Sequence, residues 1–271
     1  MSNPLVSITI PTFNSAKTLR LCLESIVNQT YGEIEIVVVD SNSSDDTWKI
    51  AKEFKVDKLI STEWGLLGSR CIGSYASTGK FVLMLDSDQV LEGTAIERGV
   101  ELFNGGYGML ALEENSLYAR NWLEKMFKID RELINRMENL DPETGVILPR
   151  FFRKSIIDHA FEMIPRELLS FVVTHDHAII YYEAYKVSSN VGILPNSVFH
   201  IEPSSLIDCW KKNYGYGRKT KRLIETNYYN DLLKTKIRAR NGFSVDSRRA
   251  MIANILLLLK ASAYELGRWL P

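Results

Sequence analysis

Two carboxylates spaced i, i+2, in Asp86-Ser87-Asp88, follow the apolar run Phe81-Val82-Leu83-Met84-Leu85. A strand-to-loop turn presents such a pair to one hard cation. Mg2+ and Mn2+ take oxygen ligands, often one or two carboxylates plus phosphate oxygens. Two earlier strand-like runs end in kindred residues, Pro11-Thr12-Phe13-Asn14 and Asp40-Ser41-Asn42-Ser43-Ser44-Asp45-Asp46. An acidic edge repels a diphosphate unless a cation lies between them, so the set points to a metal-bridged nucleotide diphosphate. The same residue types also suit turns and helix caps, which leaves Asp40 as a turn starter and Asn14 or Ser15 as a cap. Further on, Thr174-His175-Asp176-His177 opens a helical stretch, and His200 lies in Ser197-Val198-Phe199-His200-Ile201-Glu202. A zinc site from His175, His177 and His200 is a competing use of these side chains, without cysteine support or a zinc-type spacing.

The elements that must carry these residues follow from periodicity. Residues 5–10, 34–39, 58–60 and 81–85 read as short β-rich strands, the second nearly all apolar, as in a parallel strand covered on both faces. Between them, residues 16–29, 46–54 and 66–76 carry apolar side chains at helical spacing. This alternation predicts an α/β fold with an open, mostly parallel sheet and helices on both faces. Ligands of such sheets bind beyond the carboxyl ends of the strands. A strand at 109–112, a polar helix at 121–137, a strand near 146–152 and a helix at 178–185 follow, and the chain after about residue 203 reads as helical and basic.

The run from Val6 to Asp88 resembles glycosyltransferase family 2, the inverting enzymes with the GT-A fold. The resemblance rests on Pro11-Thr12-Phe13-Asn14, on the helix from Leu19 to the Gln29-Thr30-Tyr31 triplet, and on Val37-Val38-Val39-Asp40 leading to Thr47. It rests also on Gly68-Ser69-Arg70-Cys71-Ile72-Gly73, on Ala76-Ser77-Thr78-Gly79-Lys80 and on the Asp-x-Asp, all in order. It implies a Rossmann-like GT-A domain in which Pro11, Asn14 and Asp40 line the base and ribose pocket. It places Arg70 by the diphosphate, Asp86 on ribose or metal, and Asp88 as principal metal ligand, with His200 on the same Mn2+ or Mg2+. Asp176 is then the candidate base, although the family's usual acidic doublet is here an Asp between two histidines. Its alternative is a helix N-cap, and His175 or His177 is an alternative carrier of the proton. Glu113, Glu114, Arg150 and Arg153 fall in stretches that border donor sugar or acceptor.

The implied reaction moves a sugar from a UDP- or GDP-sugar to a hydroxyl of a lipid-linked or polysaccharide glycan. A polyprenyl-phosphate glycosyltransferase, whose acceptor is already anionic, and a catalytically silent nucleotide-binding module are the alternatives. A sugar-nucleotide pyrophosphorylase is disfavoured because its Gly-rich, basic first loop is missing.

The chain has 271 residues, 45% hydrophobic and 24% charged, with 33 basic and 33 acidic side chains. That composition fits a soluble globular protein, and a balanced charge singles out no polyanionic partner. The balance is uneven, however: residues 211–249 hold twelve Lys and Arg against three Asp and Glu. No nucleic-acid motif accompanies them, so an anionic membrane surface is the candidate partner. The helix around residues 250–270 either lies in that interface or packs on the catalytic domain, and its apolar stretch, 250–259, is too short to span a bilayer. Cys22, Cys71 and Cys209 are far apart and read as reduced thiols; with no signal-like opening, a cytoplasmic location is expected, peripheral on the cytoplasmic face of the membrane. The expected organisation is a catalytic domain over residues 1–203, its nucleotide half at 1–107 and acceptor half at 108–203, and a helical extension at 204–271.

Overall fold

The computed structural model describes residues 3–239 and 247–270; Arg240, Asp246 and the Arg238 side chain of the basic stretch lie outside the described residues. The chain runs β1 (Val6–Thr12), α1 (Leu19–Val27), β2 (Ile34–Asp40), α2 (Thr47–Glu53), β3 (Lys58–Ser61), α3 (Leu66–Ala76) and β4 (Phe81–Met84). It continues with β5 (Gln89–Leu91), α4 (Ala95–Asn104), β6 (Met109–Ser116), α5 (Trp122–Asn135), β7 (Pro149–Arg153) and α6 (Lys154–Met163). Then come α7 (Arg166–Leu169), α8 (Asp176–Val187), β8 (Val191–His200), α9 (Leu206–Glu225), α10 (Asn230–Ala239) and α11 (Arg248–Trp269).

Helix α3 falls on the expected residues. Helix α1 starts three residues later than expected, because Asn14 turns left-handed (φ 50°) and the Ala16 amide donates to Asp45. The strand carrying His200 is longer than expected, ten residues, with a register shift where Asn196 turns left-handed (φ 46°). The three-residue β5 and the helices α4, α6 and α7 have no counterpart in the sequence reading.

All eight strands form one mixed sheet in the order β3-β2-β1-β4-β7-β6-β8-β5. Strands β3, β2, β1 and β4 are mutually parallel, and β6 is parallel to β8. Strand β7 runs antiparallel to β4 and β6, and β5 runs antiparallel to β8. The carboxyl ends of β1, β2, β4, β6 and β8 therefore share one edge with the amino ends of β5 and β7. That edge gathers the end of β4, where Asp86 and Asp88 follow, with Arg150, Glu114, Gln89 and His200.

Both faces of the sheet are covered, because alternate residues of each strand point to opposite sides. Phe81 and Leu83 join α1 and α4 in one core, while Val82 and Met84 join α3, α6 and α8 in the other. In the first, Phe81 stacks on Phe103 (4.3 Å) and both meet the edge of Phe151. Each such aromatic, once buried, contributes roughly 1.5–3 kcal/mol. Helix α3 lies close on α7, and Gly68 is the reason. A Cβ there would sit 2.8 Å from the Trp64 Cβ and on the Leu169 carbonyl oxygen.

Helices α9 and α11 pack antiparallel. Gly217 faces the Tyr264 carbonyl and Gly267 the Tyr214 carbonyl, so closely that neither site admits a side chain. Cys209 and Leu256 join Leu123 and Phe127 of α5 in a third core. Buried Thr220 of α9 hydrogen-bonds Thr174 just ahead of α8 (2.9 Å). Helix α11 is 22 residues and by length and composition alone apolar enough to cross a membrane, yet Ala250, Ala253, Leu256, Ala263 and Gly267 are buried against the protein. Its opposite side exposes Met251, Ile255, Leu258, Leu266 and Trp269.

Candidate active site

Arg70 organises the sheet edge. It projects from the middle of α3, its side chain is only 1% exposed, and it is charged, so it must be paired. Its Nε donates to Asp176 Oδ2 (2.6 Å) and its Nη2 to Asp86 Oδ1 (2.5 Å). One guanidinium thus joins Asp86, two residues beyond β4, to the first residue of α8, 90 positions apart in sequence. Arg150, at the amino end of β7, donates to Asp86 Oδ2 (2.5 Å) and pairs with Glu114 (3.0 Å). Glu114 and Glu202 are bridged in turn by Arg131 of α5. Gln89 accepts from the Asp86 amide and donates to Glu114.

These contacts set the charge states. Burial alone would raise the Asp86 carboxyl, but Arg70 and Arg150 outweigh it and hold the group well below the ordinary range. Asp176 is likewise lowered, with burial opposed chiefly by Arg70. Glu114 is pulled down to about 2 by Arg150 and Arg131 against its burial. His177 is lowered by burial and by the two guanidinium groups, so it is neutral at pH 7. Its Nε2 lies 2.8 Å from Arg150 Nη1, which can only donate, so the imidazole proton sits on Nδ1.

Asp88 lies apart from this lattice. The Asp88 Oδ1 faces His200 Nε2 at 3.5 Å and its Oδ2 faces Lys212 Nζ of α9 at 3.4 Å. The pairing of β5 with β8 sets this approach, since Gln89 stands opposite His200. On the far side of the imidazole, Nδ1 is buried, has no hydrogen-bond partner, and is 3.6 Å from Glu202 Oε2. Five carboxylates (Asp86, Asp88, Glu114, Asp176, Glu202) meet four cations (Arg70, Arg131, Arg150, Lys212), which leaves the cluster net anionic. Of five buried side-chain nitrogen or oxygen atoms without a partner among the described residues, three lie here: Arg70 Nη1, His177 Nδ1 and His200 Nδ1.

A divalent ion fits this arrangement. Oxygen from Asp88 with nitrogen from His200 suits Mn2+, whereas Mg2+ would take the Asp88 oxygen alone, and Glu202 behind His200 is the carboxylate that commonly orients a ligating imidazole. Among the described residues no group of three His, Cys, Asp or Glu could hold a metal alone. Such an ion would therefore take its remaining ligands from phosphate, as Mg2+ typically does. The three-histidine zinc arrangement does not form: His175 Nε2 meets Tyr264, His177 meets Arg150 and His200 meets Asp88.

The remaining expected residues gather at the neighbouring strand ends. Pro11 is buried in β1. Asn14 ties two loops together, its side chain accepting from the Ser44 amide (2.9 Å). Asp40 is 2% exposed and accepts from Thr12 Oγ1 (2.7 Å) and from the Ser43 amide (2.8 Å). In this structure it orders its own loop. Asp176 is not an N-cap, since His175 occupies that position in the left-handed region (φ 60°) and Asp176 is the first residue inside α8. Ser87 donates to Ser15 (2.9 Å), binding the Asp-x-Asp loop to the β1 loop. Phe13, 65% exposed on that loop, is an aromatic face the sequence reading passed over. A cavity of about 440 Å³ lies elsewhere, lined by Glu113, Asn135, Pro195 and Asn196, and none of the converging residues borders it. All three cysteines are buried free thiols.

The Glycosyl transferase family 2 model matches residues 7–161. Chondroitin synthase of Escherichia coli is 29% identical over 237 residues, 78% of this chain and 32% of that protein. A GalNAc(5)-diNAcBac-PP-undecaprenol beta-1,3-glucosyltransferase of Campylobacter jejuni is 27% identical over 167 residues, covering 58% of this chain and 54% of that one. The chain thus spans about a third of the first relative and about half of the second. Among solved structures, the mannosyltransferase PcManGT of Pyrobaculum calidifontis, in complex with GDP-Man and Mn2+, superposes with a TM-score of 0.62 at 14% identity. That match covers 99% of this chain and 88% of the other, and shows the fold.

Proposed function

The chain belongs to glycosyl transferase family 2, and from that premise we propose that it transfers a sugar from a UDP- or GDP-sugar to a hydroxyl of a lipid-linked or polysaccharide glycan, with inversion and with Mn2+ or Mg2+. The observation that carries this reading is the Arg70 clamp. It sets Asp176 beside the Asp86–Asp88 turn, a carboxylate base next to a diphosphate-binding edge.

In the proposed reaction Asp88 and His200 would hold the ion, which would supply Lewis-acid stabilisation of the departing diphosphate. Asp176 takes the proton of the acceptor hydroxyl while that oxygen attacks the anomeric carbon. The bond from that carbon to the β-phosphate oxygen breaks, and its electron pair leaves with the diphosphate. The transition state resembles an oxocarbenium ion. Arg70 engages Oδ2 of Asp176, which leaves Oδ1 to receive the proton. A carboxyl held this low is always ionised at neutral pH but is a weak base, so the transfer gains force only as the attacked hydroxyl acidifies in the transition state. Asp86, with both oxygens on guanidinium groups, serves as the anion that fixes Arg70 and Arg150. Pro11, Asn14 and Asp40 shape the nucleotide end, where the exposed Phe13 ring offers a stacking surface.

We assign residues 1–203 to the catalytic domain, with nucleotide and acceptor halves meeting near residue 107, and residues 204–271 to an extension. The outer side of that extension carries Ile207, Trp210, Leu258 and Trp269, exposed by 66, 44, 69 and 74%. With the exposed Arg218 and Lys221 nearby, it suits an anionic membrane surface, at about 1 kcal/mol per basic residue. In this reading the protein sits peripherally on the cytoplasmic face, where a lipid-linked acceptor, the class named for the Campylobacter relative, would reach the site. The test is transfer from UDP- and GDP-sugars to undecaprenyl-diphosphate-linked acceptors, with the anomeric configuration of the product read by proton NMR. Inverted product supports the reading. Retained configuration, or loss of donor without transfer to any acceptor, contradicts it.

A further inference from the structure

Among the described residues of the extension, Lys212 is the one whose ammonium reaches the Asp-x-Asp, 3.4 Å from Asp88 Oδ2. Three features fix where its backbone stands. The Ser205 side chain caps α9 by accepting from the Asp208 amide, Gly217 docks the helix on α11, and Thr220 bonds Thr174. One turn beyond Lys212, Tyr216 shares the same face of the helix. The Lys212 contact with Asp88 shows that this face looks into the site. The Lys212 side chain is 39% exposed, so the ammonium is free to swing on a four-carbon stem from a fixed Cα.

Asp88 is also the carboxylate read above as the metal ligand, and the inference rests on that reading. A divalent ion on Asp88 repels an ammonium there twice as strongly as a unit charge would. The arriving diphosphate brings an excess of negative charge that offers the ammonium a new partner. We infer that Lys212 is exchanged from Asp88 to the diphosphate when the metal and nucleotide bind, and that it then stabilises the leaving group. As the anomeric carbon–oxygen bond breaks, the electron pair passes to the β-phosphate oxygen, where a fixed cation is worth most. The ammonium keeps its protons throughout, so the step needs no further acid.

The experiment compares the wild type with Lys212→Met, Lys212→Arg and Lys211→Met, the last removing the neighbouring charge. Mn2+ alone is titrated by electron paramagnetic resonance, UDP and GDP with Mn2+ by calorimetry, and kcat by donor turnover. Lys212→Met is expected to bind free Mn2+ about tenfold more tightly and the Mn2+–nucleotide more weakly. Its kcat should fall by on the order of a hundredfold, the loss typical of one electrostatic contact to a developing anion. Lys212→Arg should recover part of each change, and Lys211→Met should match the wild type. If Lys212→Met does not fold, Lys212→Gln replaces it. Wild-type Mn2+ affinity or wild-type kcat in Lys212→Met overturns the exchange, as does an equal effect from Lys211→Met. A wild type that binds neither Mn2+ nor nucleotide would instead sink the reading of Asp88, which keeps the two failures distinct.

Discussion

Replacing Arg70 with Met removes the guanidinium that pairs with Asp86 at 2.5 Å and with Asp176 at 2.6 Å. Arg150 still holds Asp86, so Asp176 carries most of the loss. Breaking a buried ion pair from one side costs about 3–5 kcal/mol, because the surviving charge stays desolvated. At about 2–4 °C per kcal/mol for a domain of this size, the midpoint should fall by roughly 6–20 °C at pH 7.5. The sign of the pH dependence follows from the folded-state shifts. In the wild type both carboxyls are lowered, so the stability they contribute is complete above the unfolded value of about 3.9 and is lost as pH falls below it. In Arg70→Met, burial without the cation raises Asp176 instead, and the penalty vanishes once the carboxyl is protonated. The gap between wild type and variant should therefore narrow as pH falls from 7.5 towards 4.5. Urea denaturation at the two pH values measures it. A cost under about 1 kcal/mol at pH 7.5 would refute the clamp, and so would a gap that does not change with pH.

The same shifts bear on activity. Because Asp176 is lowered, kcat/KM should show no acid-limb inflection from it between about pH 5 and 8, and an inflection removed by Asp176→Asn would count against the assignment. Asp176→Asn itself should cut kcat by about 10²–10⁴-fold with a hydroxyl acceptor; near-wild-type turnover would leave only an acceptor that needs no base, such as a phosphate. Leu258→Glu with Trp269→Glu should abolish co-sedimentation with anionic vesicles while sparing turnover of a soluble acceptor, and unchanged sedimentation would remove the membrane face from the account. A side chain at Gly217 has no room beside the Tyr264 carbonyl, so Gly217→Val should loosen α9 from α11 and speed proteolysis of the extension; unchanged cleavage would deny the tight crossing.

Asp40, Asn14 and Asp88 were legible in the sequence because parallel strands put their carboxyl ends on one edge, and each of these residues ends or follows such a strand. Arg150 was harder to place. It reaches that edge only because β7 runs antiparallel, and strand direction is a long-range property that the local pattern of Pro149–Arg153 does not encode. Strand β5 escaped notice since three residues carry no period, yet its pairing with β8 is what brings Asp88 to His200. Arg70 was expected at the diphosphate, and its sequence neighbours could not show that its nearest partners are carboxylates from two distant segments. Lys212 looked like one more base in a polybasic stretch. Only the docking of α9 through Gly217 and Thr220 separates it from Lys211.

The central claim is that Asp88, with His200, binds a divalent cation together with a nucleotide diphosphate at this sheet edge. Calorimetric titration of UDP and GDP with and without Mn2+, in the wild type and in Asp88→Asn, measures it directly. The account predicts that at least one nucleotide binds only with Mn2+ and that Asp88→Asn removes the metal-dependent part while the protein stays folded. Equal nucleotide affinity with and without Mn2+, or an Asp88→Asn protein that binds like the wild type, would contradict it.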